Sequence, residues 1–325
     1  MEIAIGLFLA AVGVALVWGV SVLGKTVRRG ISNHSKVAEA PCYDDIEVRE
    51  GVGVDELVYL YAHEFTRPKA GGAPALPRDR VWAPLSDDEL DAEELTHQLL
   101  YTTLCELHRE GYISVRLTER QPTYLPPFPQ KKWEMQLQRK KRLPVTPLCD
   151  AIGVGFDLTR KRLQAKQQFV DEQTLWVGLD ELVERGLKAI RQELSFWERS
   201  GVHGDLRNYV ASSLIASGYL IAPQRDTWLD KVRTKRPLPN RPAIEKLADQ
   251  ARSLKQRVQT FRKMHGSEAA QVDDPRAKLQ NNVDPTLADT DGPLDDLPLD
   301  DCLRLSIYET LIAIKQLEPS SEPGV

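Results

Sequence analysis

The hydrophobic pattern divides the chain into one unbroken apolar run and a series of periodic segments. The run is Ile3 to Gly24, IAIGLFLAAVGVALVWGVSVLG, 22 residues with no charge and Ser21 as the one polar side chain. At about 1.5 Å per residue a helix of this length reaches roughly 33 Å, enough for a hydrocarbon core of about 30 Å. The pattern predicts a single transmembrane helix over 3–24. A secretory leader fits less well, because the chain starts Met1-Glu2 rather than with positive charge, and the run is too long. Lys25, Arg28 and Arg29 follow the run, against Glu2 on the other flank. The positive-inside rule then puts the C-terminal body in the cytoplasm. Ala11, Ala15 and Gly19 recur every fourth residue, a helix-packing face that admits a homodimer.

Beyond the run, a polar tether over 25–53 leads into a mostly helical body, 54–265, read as one domain or as two subdomains, 54–148 and 160–265. Apolar residues at helical spacing predict helices over Asp55–Phe65, Ala92–Glu110, Trp176–Glu198, Arg207–Ser217 and Arg241–His265. Ser86 with Glu89 reads as a capping box. Arg67–Leu85, rich in Pro, Gly and Ala, reads as a loop. Tyr112–Leu117 alternates and reads as a strand, with a return strand inside Trp133–Leu143. Two segments echo each other: LCELHREGYISV from Leu104 and SSLIASGYLIAP from Ser212. In each a helix ends at Gly, then Tyr and a short apolar strand begin, as in winged-helix units. In the last of these helices Ile244, Leu247, Ala251, Leu254, Val258 and Phe261 form a short heptad seam, expected to pack on the core rather than on another chain. An acidic linker over 266–299 reads as disordered. A C-terminal amphipathic helix over 300–318 presents Leu303, Ile307, Leu311 and Ile314, for docking on the body or on a partner protein.

The net charge of −4 says little, but its distribution is uneven. Phe128–Pro144 carries six basic residues and one acid, whereas Gly266–Asp301 carries ten acids and two bases. The cysteines Cys42, Cys105, Cys149 and Cys302 are far apart, without zinc-type pairing. That usage suits a reducing cytoplasm and agrees with the charge asymmetry around the apolar run.

Catalytic patterns fail one by one. His203-Gly204-Asp205-Leu206 resembles the catalytic loop of aminoglycoside phosphotransferases, but Val210 stands where that family has a metal-binding Asn. Gly51-Val52-Gly53 and Gly153-Val154-Gly155 lack the third glycine of a dinucleotide fingerprint, and His63-Glu64 lacks a second histidine. His97, Cys105 and His108 do not share one helix face well. No enzyme activity, cofactor or metal is expected.

From Asp205 to Leu247 the order is Leu206-Arg207-Asn208, an apolar helix, Gly218-Tyr219-Leu220, then Arg236-Pro237-Leu238-Pro239-Asn240 and an amphipathic helix. Glu106-Leu107 with Gly111-Tyr112-Ile113 precedes it, followed by the basic segment Lys131–Arg142. Over roughly Val54–His265 this order resembles the Golgi phosphoprotein 3 family. The resemblance implies a mostly helical domain that binds an acidic phosphoinositide head group and recruits membrane-protein tails. Arg207 matches one of that family's binding arginines. The second falls at Val210, and the tryptophan and arginine of the first half fall near Asp91 and Leu100.

The combined expectation is a mainly α protein with short β-hairpins, acting as a membrane-anchored, non-enzymatic binding or adaptor protein. Its candidate lipid-binding residues are Lys131, Lys132, Trp133, Arg139, Lys140, Lys141, Arg142 and Arg207, facing anionic lipid. The alternative is a membrane-tethered, winged-helix-like nucleic-acid-binding regulator. The acids Glu93, Glu94, Glu106 and Glu110 on the helix before the first hairpin count against it.

Overall fold

The computed structural model describes residues 51–66, 81–86, 88–119, 133–166, 174–194, 201–222, 237–266 and 297–317. All of them belong to one compact unit, Glu47–Val325. The expected membrane helix with Lys25, Arg28 and Arg29, the small-residue face, Lys131, Lys132 and most of the acidic linker lie outside the described residues. The body is mainly helical with short antiparallel strands.

A helix sheathed on every side organises the fold. This is α3 (Ala92–Arg109), preceded by α1 (Val54–Leu60), α2 (Ala62–Phe65) and a hairpin of β1 (Val81–Trp82) and β2 (Glu89–Leu90). Glu89 thus sits in a strand, not in a capping box with Ser86. The true cap of α3 is Asp91, whose carboxylate accepts the N–H groups of Glu93 at 2.9 Å and Glu94 at 3.2 Å. Every residue from Leu95 to Leu107 is buried, including Thr96, His97, Gln98, Thr102 and Thr103 on the side away from the leucines.

α3 ends in a reciprocal cap. Gly111 has φ +67°, its N–H donates to the His108 carbonyl, and Tyr112 N–H donates to the Leu107 carbonyl. This pair of bonds satisfies two terminal carbonyls and needs a left-handed residue, which favours Gly. The chain then enters β3 (Ile113–Glu119), which pairs with β4 (Trp133–Arg139) in the register Val115↔Leu137. β4 also pairs with β5 (Trp176–Gly178). The second echo repeats the construction at the end of α6 (Gly201–Ala216). Gly218 has φ +76°, and Gly218 and Tyr219 donate to the carbonyls of Ile215 and Leu214. β6 (Leu220–Ile221) and β7 (Leu238–Pro239) follow. In both units the Tyr carbonyl accepts the N–H of the residue after the return strand, Lys140 in the first and Asn240 in the second. In both, the next helix has proline in its first turn. The sequence echo is therefore a structural repeat.

The helix after the first unit, α4 (Pro147–Ala165), has no counterpart among the expected helices. Thr146 caps it, its hydroxyl accepting the Cys149 N–H. α4 crosses α5 (Leu179–Glu193) at two glycines. A side chain on Gly155 would start 2.8 Å from the Leu182 carbonyl oxygen, and one on Gly186 would start 2.9 Å from that of Ala151. The backbones are thus nearly in contact. The helix expected over Trp176–Glu198 gives its first three residues to β5, because β4 offers them a partner edge. A boundary between 148 and 160 would cut α4 in two. One apolar core runs continuously from Leu57 to Ile314 instead, so the two units share a domain.

The heptad seam packs inward: Ile244 of α7 (Arg241–Glu245), Leu247, and Ala251, Leu254, Val258 and Phe261 of α8 (Ala248–His265) are all buried. The C-terminal helix, α9 (Leu299–Leu317), docks back on the body, burying Cys302, Leu303, Ile307, Leu311 and Ile314. Polar contacts fix its position. Tyr101 of α3 donates its hydroxyl to Asp300, and Arg262 of α8 donates to the same hydroxyl at 3.3 Å. His97 bonds the Arg304 carbonyl through Nε2 at 3.1 Å and stacks on Tyr308, centroids 4.0 Å apart.

One buried acid makes stability depend on pH. Asp55 of α1 is fully buried and accepts the Leu148 N–H at 2.7 Å. Burial, reinforced by neighbouring Glu56 and opposed by the Leu148 N–H, pushes its carboxyl up to about 6. In the unfolded chain the group titrates near 3.9. Between roughly pH 4 and 6 the folded state holds a proton that the unfolded state has released, so this contribution to stability falls as pH rises. Asp55→Asn keeps an acceptor for Leu148. It is expected to flatten that window and to be more stable than the parent at neutral pH, measured by urea denaturation at several pH values. An unchanged fall between pH 4 and 6 in the variant would assign the effect to another group.

Candidate basic surface between β4 and α4

The basic segment divides sharply by environment. Strand alternation sends Trp133, Met135 and Leu137 inward, and Trp133 is 1% exposed. It is a core residue and is not available to a lipid surface, contrary to the expectation above. Arg139 ends β4 half-buried, donating to Asp157 of α4 at 3.1 Å with its guanidinium 5.8 Å from the Phe156 ring. Lys140, Lys141 and Arg142 are exposed on the turn that follows. Lys141 reaches back to the end of α3, where its ammonium donates to the Glu110 carbonyl at 3.3 Å and lies 5.7 Å from the Tyr112 ring. A cation at a helix C-terminus is well placed against the helix dipole. Arg142 lies close enough to Asp150 to oppose the upward push that burial exerts on that carboxyl.

The turn is anchored at both ends, by the Lys140 N–H to the Tyr112 carbonyl and by the Thr146 cap of α4. Three adjacent cations are thereby presented on a fixed support. Arg207 is on a different element, α6, half-buried, with Nε donating to the His203 carbonyl at 2.9 Å. Asp157 and Asp150 face the basic residues from α4, a placement set by the packing of that helix rather than by local sequence. Locating them requires recognising α4 as a helix adjacent to β4.

His203 and Asp205 lie within helix α6, not in a loop. Asp205 is 1% exposed and bound to Arg191 of α5 at 2.6 Å. Burial pushes the Cys149 thiol up to about 12 and raises Cys105 well above its usual range, which disfavours the reactive thiolate. Burial holds His97 neutral, down to about 3. Among the described residues no group of three or more His, Cys, Asp or Glu side chains is arranged to hold a metal. A cleft of about 560 Å³ lies between the end of α3 and α8, lined by His108, Arg109, Arg257, Phe261 and His265 among others. Its two arginines are both bound to Glu106. As for nucleic acid, α3 is buried from Leu95 to Leu107 and offers no face to a groove.

Among the described residues no helix is long and apolar enough to cross a membrane; the 22-residue apolar run lies outside them. No protein family, curated protein or solved structure matches this chain.

Proposed function

We propose that the chain is a membrane-anchored binding or adaptor protein whose body lies at the cytoplasmic membrane surface and contacts anionic lipid head groups through Lys140, Lys141 and Arg142. The observation that carries this reading is the set of three adjacent exposed cations on a turn pinned between β4 and α4. The apolar run Ile3–Gly24 and the basic flank Lys25, Arg28 and Arg29 support it, because a tethered body meets the bilayer at high local concentration. Three buried free cysteines suit a reducing compartment. A protein partner on the outer side of α9 is compatible with this role, although its apolar face is already spent on the body.

The test uses residues 47–325, the compact unit, and vesicles with and without phosphatidylserine. Each basic residue near an anionic surface is worth about 1 kcal/mol. Lys140→Gln, Lys141→Gln and Arg142→Gln together are therefore expected to weaken flotation with anionic vesicles by about 100-fold, at unchanged melting temperature. Binding should also fall steeply with salt. Equal flotation of parent and variant would remove this turn from the proposal.

A further inference from the structure

We infer that the same turn carries an apolar tip, Val145, that enters the head-group region of an anionic bilayer; this rests on the lipid-facing reading of Lys140, Lys141 and Arg142. Val145 is 71% exposed, more than any other large apolar side chain among the described residues. It sits at the centre of a three-residue turn closed by the Thr146 N–H donating to the Pro144 carbonyl at 3.1 Å. Pro144 and Pro147 stiffen both sides. The exposed valine is therefore held outward rather than waving on a loose loop. Leu143 rests on α4 at Gly153, where an added Cβ would lie 3.8 Å from its Cδ1.

An isolated exposed valine is ordinary. What distinguishes this one is its setting. Arg139 to Cys149 contains four basic residues and no acid. Of the acids that face the turn from α4, Asp157 is paired with Arg139 and Arg160, and Asp150 lies near Arg142. An exposed apolar tip that follows directly on a run of exposed cations matches a surface that is anionic outside and apolar a few ångströms deeper. Long cationic side chains can stay with the phosphates while the valine goes further in.

The test uses the full chain reconstituted in vesicles, with Val145→Cys in a Cys42→Ser background and a polarity-sensitive fluorophore on the new thiol; Cys105, Cys149 and Cys302 are buried. A label on Gln259→Cys, on the exposed side of α8, is the reference. In phosphatidylserine vesicles the label at 145 is expected to shift to the blue and to be quenched several-fold more by a shallow spin-labelled lipid than in phosphatidylcholine vesicles. Combining Lys140→Gln, Lys141→Gln and Arg142→Gln should abolish that difference. Energy transfer from the label to a head-group acceptor that rises with phosphatidylserine, without lipid quenching, would overturn the insertion and leave the basic contact standing. No rise in either signal would overturn both. Shielding from aqueous iodide without lipid quenching would put protein, such as a second copy of the chain, on the patch and overturn the insertion.

Discussion

Trp133→Ala is expected to lower the stability of residues 47–325 by about 3–5 kcal/mol, the usual range for truncating a large buried aromatic. Trp133 is among the largest fully buried side chains and opens the inward row of β4 with Met135 and Leu137. The cost has two parts, the lost transfer of the indole from water and the cavity left when strand and helix backbones cannot close over it. Chemical denaturation reads it directly. Vesicle binding per folded molecule should stay unchanged, because the exposed cations lie on the following turn. A stable variant that fails to float would return Trp133 to the lipid surface and contradict the packing described here.

The second large effect concerns Arg191→Ala. Asp205 is buried, and the Arg191 guanidinium holds its Oδ2 at 2.6 Å across the α5–α6 contact. Removing one member of a buried ion pair typically costs about 3–5 kcal/mol. Arg191 is itself 31% exposed, so water can reach the vacated position and the lower end, about 3 kcal/mol, is expected. The double variant Arg191→Met with Asp205→Leu should recover most of the loss, since it removes both charges and keeps the volume. If the double variant is no better than the single one, the pair is not the source of the effect. The same result bears on the His203–Leu206 motif: a carboxylate committed to an interhelical ion pair is a structural group.

The elements that could be read from sequence are those fixed by local chemistry. The two Gly-Tyr caps, the leucines of α3 and the seam from Ile244 to Phe261 depend on residues within a few positions of each other. β5 did not show itself because a three-residue strand exists only through its pairing with β4. α4 was hidden because Gly153 and Gly155 dilute its apolar rhythm; Gly155 is there for the close crossing with Leu182, which no local pattern encodes. The burial of the far side of α3 was equally non-local, since His97, Thr102 and Thr103 are covered by segments distant in sequence. Trp133 is different. The alternation that identifies its strand places it with Met135 and Leu137, so its inward direction is legible in the sequence despite the adjacent Lys131 and Lys132. Lys140, Lys141 and Arg142 were legible as cations, while their rigid support came from Tyr112 and Thr146, both outside the basic run.

The most direct measurement of which surface faces the bilayer is amide hydrogen exchange on the full chain in nanodiscs, comparing anionic with neutral lipid. Selective slowing over 139–146 and the first turns of α4 in the anionic discs is the result expected here. Unchanged exchange over 139–146, with protection appearing on another face such as α8, would contradict the proposed membrane contact.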